Sequence, residues 1–178
     1  MRFPYGWQLD TPPCVLEPQS HTEIADIEWR GSGIWAIDTS NANAWNSAAS
    51  VILPRSSADV VLLQETRVHE EDALTRASNR ANAMGWRASF ASAHKTAADS
   101  ASAGCAVCTR KGTGMTPHPE DIIQEGSRCR FKAAWIGGFV RGGLHICSIY
   151  LKDSVGPSET NLNLLQEVAI FLSCLNGP

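Results

Sequence analysis

The stretch Ala58-Asp59-Val60-Val61-Leu62-Leu63-Gln64-Glu65-Thr66-Arg67 carries the most decisive pattern in the chain. Four consecutive β-branched and aliphatic residues predict a strand buried on both faces, because a strand with one wet face alternates instead. The run ends abruptly in a polar quartet, Gln64 to Arg67, so the chain passes directly from a core to a rim. A carboxylate at that point must reach solvent or meet a cation, since burying an unpaired charge is costly. Glu65 is therefore the leading candidate for chemistry, and a carboxylate at a cleft-facing strand end suits a hard cation such as Mg²⁺.

Upstream, Ile34-Trp35-Ala36-Ile37 predicts another buried strand, running out into a polar loop, Asp38-Thr39-Ser40-Asn41. Between the two strands, Trp45, Ala48, Ala49 and Ile52 share one helical face, and Pro54 is expected to stop that helix. Downstream, a helix is expected from about Glu70 to Met84 with Gly85 at its C-cap, then a strand over 86–90. The small, polar residues 91–103 read as a surface loop, followed by a strand over Cys105-Ala106-Val107-Cys108 and a Gly-rich turn at 111–114. Apolar runs at 131–136 and 144–151 flank Gly137-Gly138 and Gly142-Gly143, which predicts an antiparallel hairpin. Ser158 is expected to N-cap a last helix whose Leu164, Leu165, Val168, Leu172 and Leu175 form a stripe that needs a sheet to cover it. Strands interleaved with helices imply an α+β or mixed α/β arrangement of layers.

With 178 residues, 43% hydrophobic and 19% charged, the chain is neither collagen-like, coiled-coil nor wholly disordered. A formal charge of −3 gives no global attraction to phosphate backbones, so any nucleic-acid binding must be local or metal-mediated. No apolar run approaches the roughly 18 residues of a spanning helix, and no membrane segment is expected. The opening MRFPYGWQLDTPP lacks the apolar core of a secretory signal, and the six cysteines read as reduced thiols of an intracellular protein. Residues 1–32 hold four of the nine prolines and read as an irregular N-terminal extension, with the domain proper over 33–178.

Four segments together carry a family likeness. Asn41-Ala42-Asn43 follows one strand, the block 58–66 forms and follows the next, Ser-Ala-Gly-Cys-Ala-Val-Cys-Thr-Arg spans 102–110, and Ile149-Tyr150-Leu151 comes later. From about Gly33 to Pro178 the chain resembles the endonuclease/exonuclease/phosphatase superfamily, which includes apurinic endonucleases and deoxyribonuclease I. The resemblance implies a partial four-layer α/β/β/α sandwich with mixed, largely antiparallel sheets. It implies Mg²⁺- or Mn²⁺-dependent hydrolysis of a phosphodiester, with DNA and RNA among the substrates. It makes Glu65 the metal ligand and Asn41 and Tyr150 further active-site residues, and it places Asn43 where apurinic-type members often carry Asp. Arg67, just past Glu65, is a candidate phosphate contact or a solvated arginine, and His94 is the one histidine placed to meet substrate.

The family's later Gly-Asp-x-Asn and Asp-His motifs do not occur in these 178 residues. The resemblance therefore implies an amino-terminal portion that is catalytically incomplete, with the inner face of one sheet left bare and inclined to self-associate. A non-catalytic interaction module, or a small-molecule or lipid phosphoesterase, is the alternative. His69, His118 and His145 read as surface or packed histidines, and Trp35, Trp45, Trp86 and Trp135 as core. Cys105 and Cys108, three apart on a strand, are expected to face opposite sides rather than to share a metal.

Overall fold

A computed structural model describes residues 33–97, 100–119, 121 and 123–175; the expected extension over 1–32 lies outside them. The central strand β2 (Val60–Gln64) forms where its apolar run requires, with Val60, Val61 and Leu63 fully buried. β1 (Ile37–Asn41) runs parallel to it, with Asn41 opposite Gln64. On its other side β2 pairs antiparallel with β6 (Ala106–Arg110), which in turn pairs with β3 (Trp86–Phe90), giving the order β1-β2-β6-β3. A second, antiparallel sheet holds β7 (Gly114–Pro117), β8 (Phe131–Gly137) and β9 (Leu144–Ile149). The helical residues 45–55 (α1) and helix α2 (Glu71–Ala83) pack on the first sheet, and α3 (Glu159–Ser173) packs on the second.

Three apolar clusters fill the spaces between these layers. Trp45, Leu53, Val61, Leu63, Ala77 and Trp86 join the first helices to the first sheet. Val60 and Val107 meet Met115, Ala134, Ile136 and Ile146 between the sheets. Phe131, Ala133, Leu164, Val168 and Phe171 join the second sheet to α3. The molecule is thus an α+β sandwich in the layer order helix, sheet, sheet, helix. Its alternating strands divide their side chains between two interfaces, as a period of two dictates.

Several expectations are corrected. The inner faces of both sheets are present and packed on each other, so neither sheet is bare as a whole. β9 lies over β2 and β6 and β8 over β6 and β3, and among the described residues β1 forms the edge of the first sheet. β1 is accordingly an exposed edge strand built from the polar string 37–41, with Ile37 39% exposed; main-chain pairing to β2 makes it a strand without burial. Pro54 does not stop α1, which runs on to Arg55 after a π-helical stretch, Ala48–Ile52, whose wider turn bonds Leu53 N–H to Ala48 O. Proline there falls in the first turn of the final α segment, where its missing donor matters least. The small polar residues after β3 form a short antiparallel pair, β4 (His94–Lys95) and β5 (Ala101–Ser102), and the Gly-rich turn leads into β7.

Ser158 has the extended backbone of an N-cap, but its hydroxyl makes no capping bond. The stripe of α3 that meets the sheet is Asn161, Leu164, Val168 and Phe171, leaving Leu165 and Leu172 exposed. Phe171 sets that line by packing edge-on against both Phe131 and His118. Trp45 and Trp86 are core, whereas Trp35 stacks, half-buried, on Phe139 and Trp135 lies half-buried across Gly143, where any Cβ would overlap its ring.

Candidate active site

The ends of β1 and β2 lie side by side, and the chain leaves both through left-handed backbone: Asn43 has φ 55°, Glu65 53° and Arg67 56°. Such angles cost a residue bearing a Cβ about 1–2 kcal/mol, so the surrounding structure must hold them. At β1 the turn is held by Asn41, whose Oδ1 accepts the Asn43 N–H at 3.0 Å.

Glu65 is the hub. Its side chain is only 17% exposed, and Oε2 pairs with Arg67 Nη2 at 3.2 Å. Tyr150, directly after β9, faces the same carboxylate. The pull of Glu65 on the phenol proton, with burial and the charge of Asp153 adding to it and Arg67 opposing, pushes the phenol up to about 12. Tyr150 is therefore a proton donor at neutral pH, beside the Glu65 carboxylate and the Arg67 guanidinium. The structure pairs Glu65 with Arg67, places Tyr150 near that carboxylate and sets Asn41 and Asn43 at the adjoining strand end. His94 is not brought in: it lies exposed in β4, and among the described residues no hydrogen bond joins it to the cluster.

The supports beneath this cluster were not legible as site residues. Gln64 Nε2 donates to Ser148 Oγ at 3.0 Å and to Thr39 Oγ1 at 3.2 Å, and Ser148 Oγ donates to Leu63 O at 2.8 Å, so the two sheets are joined by polar bonds just below Glu65. Tyr150 N–H donates to Arg130 O at 2.9 Å. The buried Arg130 in turn donates to Asn161 Oδ1 and to Thr160 O, both at 3.3 Å. Asn161 also binds Lys152 through both its N–H and its carbonyl, tying the segment after Tyr150 to the start of α3. Asparagine on a buried helix face and serine inside an apolar strand were the available signals, since buried polar groups need partners.

Among the described residues no group of three His, Cys, Asp or Glu gathers as a metal cage. The donors at the site are oxygens, a carboxylate from Glu65 and an amide from Asn41. This set fits Mg²⁺ or Mn²⁺, which take one or two carboxylates together with water and phosphate oxygens, and does not fit a zinc cage. The cysteines behave as expected: Cys105 lies near Ser148 of the second sheet, Cys108 faces the helices, and burial pushes both thiols up to about 12. His118 Nε2 and His145 Nδ1 are hydrogen-bonded at 2.8 Å beside Phe171, and burial with the neighbouring imidazole lowers the His118 pKa. Both are packed histidines, remote in role from the carboxylate cluster.

No family model matches the chain, and no curated protein does. Solved structures similar to it include the following three. The AP endonuclease LMAP from Leishmania major is 14% identical over 76% of this chain and 44% of its own, with a TM-score of 0.46. ANGEL2, a 2',3'-cyclic phosphatase in complex with adenosine-2',3'-vanadate, is 14% identical over 77% of this chain and 48% of its own, with a TM-score of 0.49. An endonuclease/exonuclease/phosphatase from Beutenbergia cavernae is 18% identical over 79% of this chain and 44% of its own, with a TM-score of 0.46. The chain thus spans less than half the length of each of these structures.

Proposed function

We propose that the chain belongs to a Mg²⁺- or Mn²⁺-dependent phosphodiester hydrolase lineage and carries its metal- and phosphate-binding side. The observation that carries this reading is the half-hidden Glu65 carboxylate, met by Arg67 and Tyr150 at the rim where β1, β2 and β9 end. Glu65 and Asn41 would hold the cation. Bound there, it supplies neutralisation of phosphate charge and of the leaving oxygen. Arg67, 45% exposed, is free to swing from Glu65 to a phosphate, which a guanidinium grips through two parallel bonds. Tyr150, held protonated, donates to a phosphoryl oxygen or steadies Glu65, and Asn43 borders the same opening. Among these residues none is an available general base, so we read this chain as binding the phosphodiester rather than completing its hydrolysis. Hydrolysis would then lack the ~10²–10⁴-fold that acid–base catalysis contributes.

Calorimetric titration with a dinucleoside monophosphate, with and without Mg²⁺, tests the reading. Binding is expected only with Mg²⁺, to be weakened by about tenfold in Arg67→Ala, a charge-assisted pair being worth about 1.5–3 kcal/mol, and to lose its metal dependence in Glu65→Gln. Equal binding without metal would overturn it.

A further inference from the structure

We propose that Ala103 and Gly104 are positioning residues for Glu65 and Arg67, an inference that rests on the reading of Glu65 as the metal ligand. The three-residue turn 65–67 reverses its backbone twice through left-handed angles, so the aim of both charged side chains depends on whatever fixes that turn. Two main-chain bonds do so: Thr66 N–H donates to Gly104 O at 2.9 Å, and Arg67 N–H donates to Ala103 O at 3.0 Å. The anchoring pair is itself left-handed, with φ 64° at Ala103 and 87° at Gly104. Gly104 N–H donates to Cys129 O at 2.8 Å, and the next carbonyl, that of Arg130, receives the Tyr150 N–H. A continuous path of backbone therefore runs from beneath Glu65, through Gly104, to the neighbouring Tyr150.

Only glycine fits at 104. A Cβ there would stand 2.6 Å from Thr66 Oγ1, 3.1 Å from the Arg67 nitrogen and 3.3 Å from the Ala93 Cβ. Thr66 cannot retreat, being 1% exposed, and its Oγ1 is already buried without a partner among the described residues. Any side chain at 104 must move the turn, and with it Glu65 and Arg67. The small, polar segment between β3 and β6 thereby acquires a reason: it delivers two backbone carbonyls to the strand end without bulk.

Mn²⁺ affinity read by electron paramagnetic resonance, beside the melting temperature of each variant, tests this. Gly104→Ala is expected to weaken Mn²⁺ binding by about tenfold or more, as loss of a ligand's supporting contact does. Adding Thr66→Ala, which removes the nearest obstruction, is expected to restore most of the affinity while the melt stays depressed by alanine at a positive φ. Unchanged affinity in Gly104→Ala, or affinity that merely follows the melting temperature across the variants, would overturn the proposal. Glu65→Gln separates the two readings: if it binds Mn²⁺ like the wild type, the assignment of Glu65 fails and the positioning role with it. Hydrogen exchange on the wild type is independent of any variant's folding. The Thr66 and Arg67 amides should be as protected as those of β6, and free exchange at both would contradict the anchoring.

Discussion

Glu65 takes a backbone angle that side chains avoid, and in return its carboxylate reaches both a phenol and a guanidinium from the end of a buried strand. Tyr150 reports on that arrangement. Its folded pKa, about 12, lies above the value of 10 it has when unfolded, so its interaction with Glu65 stabilises fully below pH 10 and is lost as pH rises from there toward 12. The chain has two tyrosines, so in a Tyr5→Phe background phenolate absorbance should stay low through pH 10–11. Adding Glu65→Gln should move the rise down toward pH 10, and a midpoint unaffected by that change would break the Glu65–Tyr150 link. Glu65 stood out because it follows a buried apolar run, whereas Asn41 and Tyr150 were singled out by the family resemblance. Ser148, Asn161 and Gly104 were not, because their roles rest on partners remote in sequence, as with Gln64 and Ser148, 84 positions apart.

At the scale of elements, pattern reading succeeded where burial shapes the sequence and failed where main-chain bonding does. β2, β3, β6, β8, β9 and α2 follow from apolar runs and capping signals. β1 is largely polar because, among the described residues, a single strand pairs with it and its side chains stay mostly exposed, so periodicity placed the strand at 34–37 and met β1 only at Ile37. α3 shows the opposite error: its apolar arc is wider than the sheet contact, and the stripe chosen from sequence overlapped the buried one without matching it. Asn161, unremarked in sequence, joins α3 to the segment after Tyr150 through bonds to Arg130, Lys152 and Gly156. Asn161→Ala is expected to cost about 2–4 kcal/mol, since it orphans several buried groups at once. Urea unfolding measures this; a loss within experimental error would show that the segment holds without it.

The whole molecule is four layers deep, and that order was implied by the family likeness rather than by periodicity, which specifies elements but not their stacking. Among the described residues no further strand pairs with the outer edge of β1, and Ile37, on the face toward the second sheet, is 39% exposed. Uncovered edges recruit further strands, so weak self-association is expected, seen as a concentration-dependent mass in sedimentation; one mass at all concentrations would exclude it. The strand-end site itself is best examined by Mg²⁺ titration of the ¹⁵N-labelled chain followed by NMR. Saturable shifts should cluster at Asn41, Asn43, Glu65, Thr66, Arg67 and Tyr150 and vanish in Glu65→Gln; no shifts there, or the same shifts in the variant, would contradict the placement of the metal on Glu65.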